Sequence, residues 1–137
     1  MKFPDGPFLA TTSQQPVVTG RLSSQVRFVS SVGADADNLS ELTVEATQGR
    51  LLVSESRQNM GVGDLRRWHA AGDCRPEDVA LLSSVMSAAL RGDPIDTPAV
   101  FISTGSAVQD ALVCRFLHDR LNGRGGVALE ALAPEDG

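Results

Sequence analysis

Apolar positions along this chain switch between two rhythms, short β-branched runs and longer stretches with a helical period. Phe8–Thr12 reads as a short strand ending at Ser13-Gln14-Gln15-Pro16. Val26–Val32 (Val-Arg-Phe-Val-Ser-Ser-Val) is a better strand, stopped by Gly33. After the polar loop Asp35–Asn38, Ser40 is placed to cap a short helix over Glu41–Gln48. Arg50–Ser54 is a compact apolar strand. A helix follows between Ser56 and Ala71, split by Gly61 and Gly63; its stronger half is Asp64–Ala71, ended by Gly72. Pro76-Glu77-Asp78 opens another helix, carried by Val79, Leu82, Val85, Met86 and Ala89 and closed by Gly92-Asp93-Pro94. Ala99–Ser103 is a strand, and Ser106–Leu121 is the longest helix. Its series Val108, Leu112, Phe116 and Ala107, Ala111, Cys114 are expected to face inward, with Asn122-Gly123 at its end.

Strands alternating with helices predict an α/β fold whose mostly parallel sheet is covered on both faces. The segment 1–7, with two Pro and a Gly, is irregular; 8–132 forms the domain; 133–137 is a frayed tail. A chain of 137 residues is one domain's worth. With five Phe, one Trp and no Tyr, the core must be built from Val, Leu and Ala.

The net charge of −5, with basic residues scattered and only Arg66-Arg67 adjacent, argues against nucleic acid as a partner. Cys74 and Cys114 match no metal spacing and read as reduced thiols. No apolar leader and no apolar run near the roughly 20 residues of a membrane span is found, so no membrane partner and a cytoplasmic location are expected. His69 and His118 read as surface groups, and Trp68 as packing a helix on the sheet. No His is spaced to complete a triad with Ser54 or Ser56.

The stretch Phe101-Ile102-Ser103-Thr104-Gly105-Ser106-Ala107-Val108-Gln109-Asp110 concentrates the chemistry. An apolar strand breaks at a small turn and opens a helix, the kind of junction at which open α/β sheets bind nucleotides. Its backbone N–H groups are expected to be unpaired, and the helix dipole favours negative charge.

Three stretches together resemble the ornithine cyclodeaminase/mu-crystallin family of NAD(P)-dependent proteins. They are Ala10-Thr11-Thr12-Ser13-Gln14-Gln15-Pro16-Val17-Val18; Val32-Gly33-Ala34-Asp35 followed by Ser40-Glu41-Leu42; and Ser103-Thr104-Gly105-Ser106-Ala107-Val108-Gln109-Asp110. Gly63-Asp64-Leu65 and the helix at 77–90 fall between them in the family's order. The resemblance runs from about residue 8 to about residue 130. It implies a partial Rossmann-like three-layer domain, equivalent to the carboxyl half of the cofactor domain.

On the matching positions, the resemblance makes Asp35 an acid/base group that also binds the substrate amine; on the residues alone it is equally a solvated turn aspartate. Val32, Gly33 and Ala34 would line the nicotinamide side. Ser103 would touch the nicotinamide end, or else cap the helix, and Thr11 would neighbour the cofactor, NAD or NADP.

The chain also departs from the family. Ile102 stands where many members carry a lysine, and Leu39 where some carry a cofactor-contacting one. Gly61-Val62-Gly63 has no preceding strand and no third glycine, so it is not read as a pyrophosphate turn. The expectation is a truncated or split NAD(P)-dependent amino-acid cyclodeaminase or imine/ketimine reductase, inactive alone, with a small amino-acid-like substrate. The half sheet would leave an open strand edge and an uncovered apolar face, to be filled by self-association or a complementary chain. The alternative is a non-catalytic interaction protein that keeps the scaffold, which apolar Leu39 and Ile102 favour.

Overall fold

The computed structural model describes residues 8–93 and 96–123. The expectations for residues 1–7, Pro94 and the tail at 133–137 lie outside these. Five strands, β1 (Phe8–Thr11), β2 (Phe28–Val32), β3 (Leu51–Ser54), β4 (Val79–Leu81) and β5 (Ala99–Ser103), form one sheet. Its order is β1-β2-β5-β3-β4, and every pairing is parallel. The helices are α1 (Gly63–Ala71), α2 (Leu82–Leu90) and α3 (Ala107–Leu121), with short 3₁₀ turns at Val44–Thr47, Arg57–Gly61 and Pro76–Asp78. The sheet, α1 and α2 make one compact unit that runs to Thr104; α3 belongs to a second that begins at Gly105.

Side chains alternate across the pleat, so each strand contributes to both faces. On one face Val29, Leu52, Val79, Val100 and Ile102 pack against Val18, Leu22, Val26, Leu42, Ala46, Leu65 and Trp68. Trp68 therefore packs helix on sheet as expected, and each fully buried side chain of this kind contributes about 1.5–3 kcal/mol. The other face carries Phe28, Leu51, Val53, Ala99 and Phe101, which with Leu82 and Val85 of α2 line an apolar groove of about 400 Å³. Phe28 remains 42% exposed there, so this face is incompletely covered.

Two sequence expectations give way. The helix over Glu41–Gln48 shrinks to the 3₁₀ turn Val44–Thr47, because Glu41–Thr43 instead runs extended beside Val17 and Val18. The amides of Val17 and Val18 donate to the Glu41 carbonyl at 2.9 and 3.0 Å, and Thr43 N donates to the Val18 carbonyl at 3.0 Å. Ser40 consequently caps nothing. The helix expected to open at Pro76 starts only at Leu82, because Val79–Leu81 is recruited as β4 by pairing with Leu52–Ser54. α3 stands by itself as one helix, Ala107–Leu121, in the unit that begins at Gly105.

Candidate functional site

Parallel register brings the sequence-predicted residues into one row at the carboxyl edge of the sheet. Thr11 lies beside Val32, and Val32 beside Ser103, across three adjacent strands. Gly33 leaves β2 immediately beyond, its N–H donating to the Ser103 carbonyl at 3.3 Å. Carboxyl edges of parallel sheets are where α/β folds place ligands.

Gly33 has no room for a side chain. Its φ of 127° lies where L-residues are strained, and an added Cβ would meet Thr12 Oγ1 and come 3.3 Å from Glu41 Oε1. Ala34 is buried, whereas Asp35 projects into solvent from the loop. The loop thus presents a carboxylate on a rigid base.

That base is the start of α1. Gly63 (φ 57°) lies so close to the loop that an added Cβ would collide with the Ala34 carbonyl oxygen. The second glycine of Gly61-Val62-Gly63 therefore serves a close approach of two backbones, not a pyrophosphate. Next to it, Asp64 is 1% exposed and accepts from Ser40 Oγ at 2.6 Å, Glu41 N at 2.9 Å and Leu42 N at 3.0 Å. Arg66 pairs with Asp37, and Arg67 Nη2 donates to the Leu39 carbonyl at 2.9 Å. The whole segment 34–42 is held to the first turns of α1.

Beneath Gly33 lies Glu41, whose side chain is completely buried. The Ser31 hydroxyl donates to its Oε2, while Oε1 is without a hydrogen-bond partner. Burial pushes this carboxyl above its ordinary range; the Ser31 bond pulls it back, and the charges of Asp64 and Asp35 push it up further.

On the far side of Ser103 the turn is occupied by the protein itself. Ser103 Oγ and Thr104 N both donate to Glu55 Oε1, at 3.0 and 3.1 Å. Thr104 Oγ1 donates to Asn59 Oδ1 at 2.9 Å, Asn59 Nδ2 to Ser54 Oγ at 2.8 Å, and Ser54 Oγ to the Ile102 carbonyl at 2.7 Å. The Thr104 N–H expected to be open to an anion is thus already taken by a carboxylate. The cap of α3 is Ser106, whose Oγ accepts from Gln109 N at 3.3 Å, so the capping role considered for Ser103 falls away.

Ile102 is 3% exposed in the core cluster, on the face opposite Ser103. Its apolar side chain fills the core and offers no interface, which removes part of the argument for an interaction protein. His69 Nδ1 lies 3.0 Å from the Cys74 carbonyl and His118 beside Asp119; no metal-holding cluster occurs among the described residues. Cys74 is buried and Cys114 exposed, both free.

Sequence reasoning passed over Glu41, Glu55, Asn59 and Asp64. Glu41 and Asp64 both sit within matched stretches, Ser40-Glu41-Leu42 and Gly63-Asp64-Leu65, where an acid beside apolar neighbours was the available signal.

No protein-family model matches the sequence, and no curated protein matches it significantly. Among solved structures, it is similar to Thermococcus litoralis Δ1-pyrroline-2-carboxylate reductase in complex with NADH and L-proline (TM-score 0.68, 21% identity, 90% of this chain and 40% of that one). It is also similar to the iminosuccinate reductase of Paracoccus denitrificans in complex with NAD+ (TM-score 0.65, 20% identity, 86% and 38%). A third is an archaeal alanine dehydrogenase dimer with bound NAD (TM-score 0.62, 26% identity, 88% and 39%). The chain therefore has the Rossmann-like fold of the NAD-dependent imine and amino-acid reductases. These are ornithine cyclodeaminase/mu-crystallin family folds, the family that its motifs resemble, and the chain spans about 40% of their length.

Proposed function

We propose that this chain supplies the carboxyl half of a dinucleotide-binding domain in an NAD(P)-dependent amino-acid cyclodeaminase or imine/ketimine reductase. The chemistry would require the residues of the other half, brought by further protein, a second copy or a complementary chain. The observation that carries this reading is the Thr11–Val32–Ser103 row, with Gly33 next to it, at the carboxyl edge of the sheet.

The residues present fit the nicotinamide end of such a cofactor. Ser103 Oγ donates to Glu55 Oε1 at 3.0 Å, which fixes the hydroxyl at the carboxyl edge beside Val32. Val32, 38% exposed, offers an apolar surface for a flat ring. When bound, a reduced nicotinamide supplies a hydride to an imine carbon. Asp35, exposed on its rigid loop, would bind the substrate's cationic nitrogen and exchange a proton with it. The apolar groove along Phe28, Leu51, Val53, Leu82, Val85 and Phe101 is the surface a completing half would cover.

Amide chemical shifts of the isotope-labelled chain, titrated with reduced nicotinamide mononucleotide, NADH and NADPH, test the reading. Binding is expected near a Kd of about 1 mM, or roughly −4 kcal/mol, with the largest shifts at Thr11, Val32, Gly33 and Ser103. Silence of those four amides at saturating ligand would sink it.

A further inference from the structure

Nothing above gives Glu41 a task, yet few groups in the molecule are placed so unfavourably. It is 0% exposed, one carboxyl oxygen has no partner, and among the described residues no cation contributes to its electrostatics. The charged groups that do face it are acids, Asp35 from the loop after β2 and Asp64 from α1. The nearby cations of α1, Arg66 and Arg67, are engaged elsewhere, with Asp37 and the Leu39 carbonyl. A buried carboxylate in such surroundings, with one oxygen partnerless and acids as its charged neighbours, is far costlier than a neutral acid.

We propose that Glu41 is a positioning residue that works as the neutral acid, holding the Gly33 turn, and so Asp35, in place while protonated and releasing it on ionisation. The geometry supplies the coupling. Glu41 Oε1 and Thr12 Oγ1 converge where a Gly33 side chain would be, leaving the turn no slack. Ser31, which holds the other oxygen, lies on β2 two residues before Gly33. The backbone of Glu41 is pinned by Asp64, so a charged carboxyl seeking water cannot withdraw by moving its own main chain. The movable part is the glycine turn above it. The charge of Asp35 raises the cost of ionising Glu41. The site thereby keeps one proton in reserve beneath its exposed acid.

The consequence for chemistry rests on Asp35 as the acid/base group. The device itself is read on the chain without any nucleotide, so its failure and that of the proposed function are distinguishable. Backbone amide shifts of Ser31, Gly33 and Asp35 are followed against pH in the wild type, Glu41→Gln, Asp35→Asn and Ser31→Ala. In the wild type, Gly33 is expected to show a step above the ordinary carboxylate range. Asp35→Asn should keep that step and move it to lower pH; Glu41→Gln, which mimics the neutral acid, should abolish it. Ser31→Ala should move it upward, because the hydroxyl favours the ionised form.

Stability gives an independent reading. A carboxyl whose folded pKa is raised contributes fully below its unfolded value near 4.3 and loses that contribution as pH climbs to the folded value. The folding constant of the wild type relative to Glu41→Gln should therefore fall about tenfold per pH unit across that window. A step that persists in Glu41→Gln, or disappears in Asp35→Asn, would assign the titration to Asp35 and overturn the proposal. So would a step unmoved in Ser31→Ala, or parallel stability curves for wild type and Glu41→Gln.

Discussion

Replacing Asp64 with alanine tests the claim that the candidate site stands on the first turn of α1. The carboxylate accepts from three donors, and all three residues are essentially buried: Ser40 and Leu42 are 1% exposed and Glu41 0%. A buried donor left unpaired costs about 1–3 kcal/mol. Water entering the vacated volume would satisfy part of that demand, leaving a loss of roughly 3–5 kcal/mol for the three together. Loss of an acid near the helix start adds about 0.3–1 kcal/mol. Against a whole-domain stability of about 5–15 kcal/mol, this is a large fraction.

Asparagine is the discriminating control. Its carbonyl can accept from the Glu41 and Leu42 amides while its amide nitrogen donates to Ser40 Oγ, so Asp64→Asn should cost only about 1 kcal/mol. Urea unfolding followed by Trp68 fluorescence measures both, since Trp68 is the only tryptophan, lies in the core, and sits one turn along the same helix. A cost for Asp64→Ala below about 1 kcal/mol, or equal costs for the two variants, would refute the reasoning.

Gly63→Ala should be destabilising by more than the roughly 1–2 kcal/mol of left-handed strain alone, because its Cβ meets the Ala34 carbonyl oxygen; denaturant midpoints check this, and a near-neutral result would mean the loop and α1 are not in tight contact. Thiol labelling should distinguish the cysteines. Cys114 is exposed and should react in the native chain, while Cys74 is buried and its thiol is pushed up by burial and by the charges of Asp78 and Glu77, so it should react only as the chain unfolds. Equal native rates for both would contradict the fold around β4.

Much of the sheet was legible in the sequence because its strands are buried on at least one face and β-branched, as in Val29-Ser30-Ser31-Val32 and Ala99-Val100-Phe101-Ile102. β4 was not. Val79-Ala80-Leu81 continues into the helical spacing of Leu82, Val85 and Met86, and only pairing with β3 tells strand from helix. At the candidate site, the small-residue motifs drew attention to Val32, Gly33 and Ser103, which parallel register sets beside one another. The polar layer beneath them was hidden because Glu41 and Asp64 are acids in the interior, where sequence patterns place apolar groups. Ser40 misled for the same reason: a serine before an acid is a good helix start until a distant carboxylate claims its hydroxyl.

The position of β5 has a consequence for how the chain is made. Among the described strands the one that comes last fills the gap between β2 and β3, so Val100 must find Val29 and Leu52 far back in the sequence. Until Ser103 has left the ribosome, the four described strands before it can pair with one another only as two separate ribbons, β1 with β2 and β3 with β4. Each would expose an inner edge with unpaired amides, the kind that invites pairing with other chains. Synthesis halted before Ala99 would therefore leave these four strands as two sticky fragments of a sheet, and their cooperative folding is postponed until β5 closes them into one.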